Sequence, residues 1–143
     1  MLGIRTRAGR LSEIQYLPLG AATLSPTDSF AREVCRQLRG YIRDPDFRLN
    51  LPIEGCGTDY QQRVWEAVRE IPRGCVLSYL EVAREIGSAA RPVGAACGAN
   101  RIPLLIPCHR VVASNGLGGF MHSRGGRALE IKRWLLRHEG AIA

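Results

Sequence analysis

Residues 77–100, LSYLEVAREIGSAARPVGAACGAN, constrain the fold of this chain more than any other stretch. Ser78 and Glu81 stand three apart, the spacing of a capping box, in which the serine hydroxyl takes an amide of the first helical turn and the acid reaches back to the serine amide. The helix so opened stops at Gly87, the turn GSAAR follows, and PVGAACGAN reads as a second short helix. Two short helices joined by a glycine-containing turn form a helix-turn-helix pattern. The second helix is made of very small residues: Gly94, Ala95, Ala96, Gly98 and Ala99. A glycine inside a helix costs about 1 kcal/mol relative to alanine, so two of them need a reason. Close approach to a DNA groove is one reason and tight packing against a neighbouring helix is another, and the residues alone leave both open. Arg91 opens that helix, where recognition helices make most of their DNA contacts.

The remaining elements arrange themselves around this pair. GIRTRAGRLSEIQYLPL reads as a hairpin turning at Ala8-Gly9. Ser25 as N-cap and Pro26 at the first helical position open a helix whose residues Phe30, Val34, Leu38 and Tyr41 share one face. Gly40 and RDPD end it, and FRLNLPI alternates as a strand does. EGCGTDY is the junction, placing a small N-terminal α/β domain at 1–56 and a second domain at 57–143. Thr58 and Gln61 form another capping box before the stripe Tyr60, Val64, Val68 and Ile71. After VVASNGLGGF, a strand and a turn at Asn115-Gly116, and the Gly-rich loop MHSRGG, the last helix carries Ala128, Ile131, Leu135 and His138 in phase, with Gly140 as its cap.

Composition narrows the function. The net charge is +7, and 19 of the 20 basic residues are arginine, whose planar fork suits phosphate. No stretch approaches the length of a membrane span and the N-terminus lacks the apolar core of a signal peptide, so a soluble, cytoplasmic protein is expected. Five cysteines, at 35, 56, 75, 97 and 108, are odd in number and never spaced as CxxC. That argues against a disulfide framework and against a cysteine-rich zinc site.

Cys108 stands apart in IPLLIPCHRVV, between Pro107 and His109. A free thiol is only a few per cent ionised at neutral pH and becomes an efficient nucleophile when a base takes its proton or a positive field favours the thiolate. His109 is adjacent and Glu139 closes the last helix, so a relay of thiol, imidazole and carboxylate forms if the fold joins them. In extended chain neighbouring side chains point apart. Cys108 and His109 therefore need a turn, which Pro107 helps to set, or a bridging water. By itself a Cys-His pair is more often structural than catalytic.

Taken together, IPCHRVV, SYLEVAREIGSAARPVGAACGAN and LLRHEG, in this order between about Gly57 and Gly140, resemble the O6-alkylguanine-DNA alkyltransferases. The resemblance implies an α/β fold: a shortened, RNase H-like N-terminal domain, then a mainly helical DNA-binding domain with a helix-turn-helix. It implies binding to double-stranded DNA, rotation of an O6-alkylguanine out of the stack, and irreversible transfer of the alkyl group to Cys108, one group per protein. His109 matches the residue that draws off the thiol proton through a water, Glu139 the carboxylate that orients it, and Asn100 the asparagine that braces the turn. Tyr79 matches a donor to the guanine ring as it becomes anionic, and Phe120 and Val111 fall in the substrate pocket. Phe120 departs from the family's usual tyrosine there, and residues 121–128 form a longer loop. Arg91 matches the arginine that replaces the flipped base; with Gly94, Ala95, Ala96, Gly98, Ala99 and Arg110 it makes up the expected DNA surface. No metal and no cofactor are implied, and the protein is expected to act as a monomer. Two other readings stand beside this one. A non-catalytic relative would bind alkylated guanine only, though such proteins lack the acceptor cysteine. A helix-turn-helix regulator would use Cys108 as a redox sensor, though its recognition helix should carry polar base-reading side chains, and this one is nearly bare.

Overall fold

Ala8 and Gly9 both take left-handed backbone, with φ of 50° and 71°, as a two-residue hairpin turn whose twist matches that of its strands requires. They join β1 (Leu2–Arg7) to β2 (Arg10–Tyr16), which pair antiparallel from Leu2↔Tyr16 to Arg7↔Arg10 with one irregularity at Arg5/Thr6. The structure, a computed structural model, describes all 143 residues, which divide into two units, Met1–Gly55 and Cys56–Ala143.

In the first unit α1 spans Ser29–Arg43 and buries Ala31, Val34, Leu38 and Tyr41. It begins later than Ser25-Pro26 suggests, because the Asp28 carboxylate takes the Ala31 amide at 2.7 Å and so caps the helix itself. Nor does Gly40 stop the helix. A Cβ there would stand 2.6 Å from the Phe47 ring, so this glycine admits an aromatic side chain against the helix. The alternating segment 47–53 forms no strand, only a single parallel bridge between Ile53 and Leu11. At Asn50 a side chain satisfies the backbone: the buried Gln37 amide donates to the Asn50 carbonyl at 3.1 Å and accepts from the Asn50 amide at 2.7 Å.

The second unit is mainly helical. α2 (Asp59–Arg69) and α3 (Tyr79–Ile86) both open on complete capping boxes, at Thr58/Gln61 and Ser78/Glu81. Gly87, at φ 69°, ends α3, and Ser88-Ala89 lead into α4 (Ala90–Gly98). α4 starts two residues before the proline. Pro92 sits in its first turn, where a missing N–H removes no helical bond. The Trp65 indole crosses from α2 and donates to the Ala96 carbonyl at 2.9 Å, and the Tyr60 hydroxyl meets Ser88 at 2.7 Å. β3 (Leu77–Ser78) and β4 (Val111–Val112) pair in parallel, and α5 (Gly126–His138) closes the unit with Glu139 as its cap. The buried face of α5 is Lys132, Leu135 and Leu136, rotated from the expected phase. No helix is long and apolar enough to cross a membrane.

Candidate active site

Pro107 has φ −82° and ψ 61°, the centre of an inverse γ-turn, and the Cys108 amide closes it by donating to the Ile106 carbonyl at 2.8 Å. A single 3-10 turn, Cys108–Arg110, follows at once. The chain around the cysteine is therefore bent, not extended, and Cys108 and His109 share one turn. Asn100 holds this turn to the end of α4. Its side chain donates to the Ile106 carbonyl at 2.8 Å and accepts from the Ile102 amide at 2.9 Å, while its own amide donates to the Cys97 carbonyl at 3.2 Å.

Behind the turn lies a buried charge network. His109 Nε2 meets Glu139 Oε1 at 2.8 Å, and Arg110 grips the same carboxylate with Nε at 3.0 Å and Nη2 at 2.9 Å. Arg110 also donates to the Ile71 carbonyl at 2.8 Å. Its side chain is 14% exposed, so the expectation that it faces DNA is corrected: its donors are turned inward, where they neutralise Glu139. Burial works against ionisation of Glu139, but the hydrogen bonds from His109 and Arg110 outweigh it and hold the carboxyl below the ordinary range. His109 goes the other way. Burial lowers its pKa and outweighs the hydrogen bond and charge of Glu139, with the positive charges of Arg110 and Lys132 adding to the lowering. The imidazole is thus neutral at pH 7, and its Nδ1 is buried without a protein partner. The Cys108 thiol is pushed up by its hydrogen bond with Cys97 and by burial, with Asn100 and Lys132 opposing. At rest the site holds a neutral thiol beside a neutral base.

In front of the thiol opens a cavity of about 690 Å³ with no aspartate or glutamate in its lining, well within the size of small-ligand pockets. Tyr79 and Phe120 line it from two sides, and Arg91, Gly94, Ala95 and Gly98 of α4 line it from a third. The Tyr79 hydroxyl donates to the Gly119 carbonyl at 3.2 Å, and burial, with Cys97 and Cys108 nearby, raises its pKa to about 12. Gly118, at φ 72°, makes room for that ring, since a Cβ would lie 2.8 Å from it. Three expected residues lie elsewhere. Val111 is buried in β4 behind the wall, and Ala96 faces α2, its carbonyl held by Trp65. Ala99 caps α4 away from the lining.

The two helix glycines have different reasons. A Cβ on Gly98 would stand 2.5 Å from the His122 ring, whereas one on Gly94 would meet only Tyr79 at 3.9 Å. Gly98 therefore seats the long loop, and Gly94 leaves the cavity side of α4 bare. The loop turns tightly: Phe120 and Ser123 exchange backbone hydrogen bonds at 2.7 and 2.9 Å across Met121 and His122. Both central residues take positive φ, 51° and 60°, which costs a non-glycine residue about 1–2 kcal/mol.

Lys132 is a site residue that sequence reasoning missed. It is 0% exposed, and its ammonium donates to the Val111 carbonyl at 2.6 Å and the Gly119 carbonyl at 2.8 Å, 5.7 Å from the centre of the Tyr79 ring. Burial lowers its pKa to about 8, with Cys97 and Cys108 opposing. It ties β4 to the pocket wall and sets a positive charge near the thiol. One signal was available: Lys132 is the single lysine among 19 arginines. A compact ammonium fits between two carbonyls where a planar guanidinium does not. Lys132→Met is expected to lower unfolding free energy by about 1–3 kcal/mol by removing the donor from buried acceptors, and Lys132→Arg is expected not to restore it; urea titrations of the three proteins check both.

The chain is similar to known proteins in sequence and in fold. Residues 59–141 match the family described as 6-O-methylguanine DNA methyltransferase, DNA binding domain. The chain is 42% identical over 114 residues to the methylated-DNA–protein-cysteine methyltransferase of Methanopyrus kandleri, covering 80% of this chain and 81% of that protein. It spans only 35% to 49% of the length of the first curated relatives it matches. Among solved structures, Mycobacterium tuberculosis O6-methylguanine methyltransferase superposes with a TM-score of 0.80 at 31% identity, over 99% of this chain and 87% of that one. The same organism's OGT in complex with DNA gives 0.79 at 32%, over 98% and 86%. The chain belongs to the O6-methylguanine DNA methyltransferase family.

Proposed function

We propose that this protein repairs double-stranded DNA as a methylated-DNA–protein-cysteine methyltransferase, taking the alkyl group of O6-alkylguanine onto Cys108 irreversibly and once per molecule. The observation that carries the reading is the turn at Cys108: a thiol facing an open cavity, with the neutral His109 on the same turn and its Nδ1 without a protein partner. A water between them would pass the thiol proton to Nδ1 as sulfur attacks. The S–C bond forms, the C–O6 bond breaks, and the electron pair stays on the guanine. Tyr79, whose raised pKa keeps it protonated at neutral pH, would donate to the guanine as charge develops. Glu139 and Arg110 hold the base and Asn100 holds the turn.

We read α3 and α4 as the helix-turn-helix that meets DNA, with the bare face around Gly94, Ala95 and Gly98 against the minor groove. Arg91, exposed at the start of α4 and at the cavity, would take the place of the flipped base. The N-terminal unit is read as a shortened RNase H-like domain. One chain suffices for the site, which supports a monomer.

Intact mass after mixing with a duplex holding one O6-methylguanine tests the proposal. A gain of one methyl on Cys108, absent in Cys108→Ala, is expected. Unchanged mass with tighter binding to the damaged duplex would make the protein a damage-binding module. Arg91→Ala is expected to slow repair of duplex DNA about 10-fold or more while leaving reaction with the free alkylated base nearly unchanged, a few kcal/mol of flipping cost being lost only with the duplex. Equal losses on both substrates would remove Arg91 from the flipping step.

A further inference from the structure

Cys108 is not the only thiol at the cavity. Cys97, in the last turn of α4, lines the same space, and its thiol neighbours that of Cys108. The other three cysteines are Cys35 and Cys56, both half-buried, and the exposed Cys75; none of them lines the cavity. Alkyl transfer needs one acceptor sulfur, so a second thiol in the same cavity has no part in the chemistry proposed above. Its backbone is also held in place. Asn100 fastens the end of α4 through the Cys97 carbonyl and fastens the cysteine turn through the Ile106 carbonyl, so the two sulfurs are carried on one braced unit. All five cysteines are free thiols.

We propose that Cys97 and Cys108 form a reversible disulfide when the protein meets a peroxide, a redox site that shelters the acceptor sulfur from irreversible oxidation. In the first step Cys108, deprotonated by His109, attacks a peroxide oxygen. The O–O bond breaks, Cys108 becomes a sulfenic acid, and water (or an alcohol, for an organic peroxide) leaves. In the second step Cys97 gives up its proton and attacks the Cys108 sulfur; the S–O bond breaks, the S–S bond forms, and water leaves. Each peroxide is reduced by two electrons as two thiols are oxidised to one disulfide. Without a neighbouring thiol a sulfenic acid continues to sulfinic and sulfonic acids, which ordinary thiol reductants do not reverse. The bridge needs the two sulfurs, which already face one cavity, to close to the roughly 2 Å of an S–S bond. The bridge occupies the attacking sulfur, so repair stops until a thiol reductant reopens it.

Hydrogen peroxide on the full-length protein, read by intact mass and tryptic mapping, tests this. Trypsin leaves Cys97 in the peptide 85–101 and Cys108 in the peptide 102–110, so a bridge joins two separable peptides. The expected result is loss of two hydrogens and those two peptides linked. Transfer to O6-methylguanine DNA should fall at least 10-fold and return on addition of dithiothreitol. In Cys97→Ala and Cys97→Ser, each compared with its own untreated activity, the same dose should add oxygens to Cys108 and abolish transfer beyond rescue by dithiothreitol. Oxygen added to Cys108 of the unaltered protein with no linked peptides overturns the proposal. So does a bridge to Cys35, Cys56 or Cys75, or full recovery in the Cys97 variants. The mass readings do not depend on alkyl transfer, so they stand or fall separately from the repair reading.

Discussion

His109→Gln is expected to transfer a methyl group from O6-methylguanine about 10²–10⁴-fold more slowly than the unaltered protein, the range that a positioned general base contributes. The size follows from the resting state. The neighbouring Cys97 thiol and burial hold the Cys108 thiol protonated, so the reaction needs a base at the moment of attack. Glutamine can keep a hydrogen bond to Glu139 but cannot accept the thiol proton at a basic nitrogen. The pH profile separates this from simple loss of structure. Burial lowers the His109 pKa below its ordinary 6.5, so the imidazole stays neutral as pH falls from 7 through 6.5. The transfer rate of the unaltered protein should hold over that interval and drop only below it; the variant should show no such drop. Stopped-flow or quench measurements of single-turnover rate from pH 5 to 8 decide the matter. A rate of the unaltered protein that halves at pH 6.5 or above would show that the imidazole is not held neutral by burial.

Glu139→Gln is expected to cost about 3–5 kcal/mol of stability, the usual result of removing one partner from a buried ion pair. The carboxylate is fully enclosed and accepts from His109 and twice from Arg110. A glutamine amide turns an NH2 group toward donors and leaves the guanidinium, 14% exposed, with half of its acceptors. At about 2–4 °C per kcal/mol for a chain of this size, the melting temperature should fall by roughly 10 °C. Calorimetry at pH 7 checks it, and a change under 1 kcal/mol would mean that solvent reaches the network. The pH dependence has a definite sign. The Glu139 carboxyl is held below its ordinary 4.5 in the fold, so its contribution is complete above 4.5 and is lost as pH falls through the lower folded value. His109 acts in the same direction in a higher window. Its charged form is penalised in the fold but not in the unfolded chain, so the unfolded state binds more protons below 6.5 and stability declines as pH falls through that value. In Glu139→Gln the lower of the two acid losses should disappear.

Local signals were read well where the side chain and the backbone it serves lie within one turn. The Ala8-Gly9 hairpin and the capping boxes at Thr58 and Ser78 are of this kind. Where two local signals competed, the choice depended on the chain beyond them. Ser25-Pro26 resembles a helix start, but Asp28 takes the Ala31 amide and caps α1. Gly40 resembles a stop, but it is a seat for Phe47. The alternation in 47–53 resembles a strand, but Gln37 takes up both backbone groups of Asn50 and the chain meets β2 only at Leu11.

The order Tyr79, Arg91, Asn100, Cys108, His109, Glu139 and the capping boxes at Thr58 and Ser78 are determined by the sequence alone, because capping acts within a few residues, whereas at Pro107 the sequence left a turn or a bridging water open. The tertiary structure decided what those residues face. It turned Arg110 from the expected DNA surface onto Glu139, because a buried carboxylate needs its charge answered. It drew Lys132 out of an apparently exposed helix position to answer two carbonyls thirteen and twenty-one residues away. It divided the glycines of α4 between a seat for His122 and an open cavity face, and it set Cys97 and Cys108 on one cavity. Each of these depends on which distant groups share a low-dielectric interior. Periodicity and capping carry no information about that, since the energy of a buried charge or an unpaired carbonyl is set by neighbours that only the folded chain brings near.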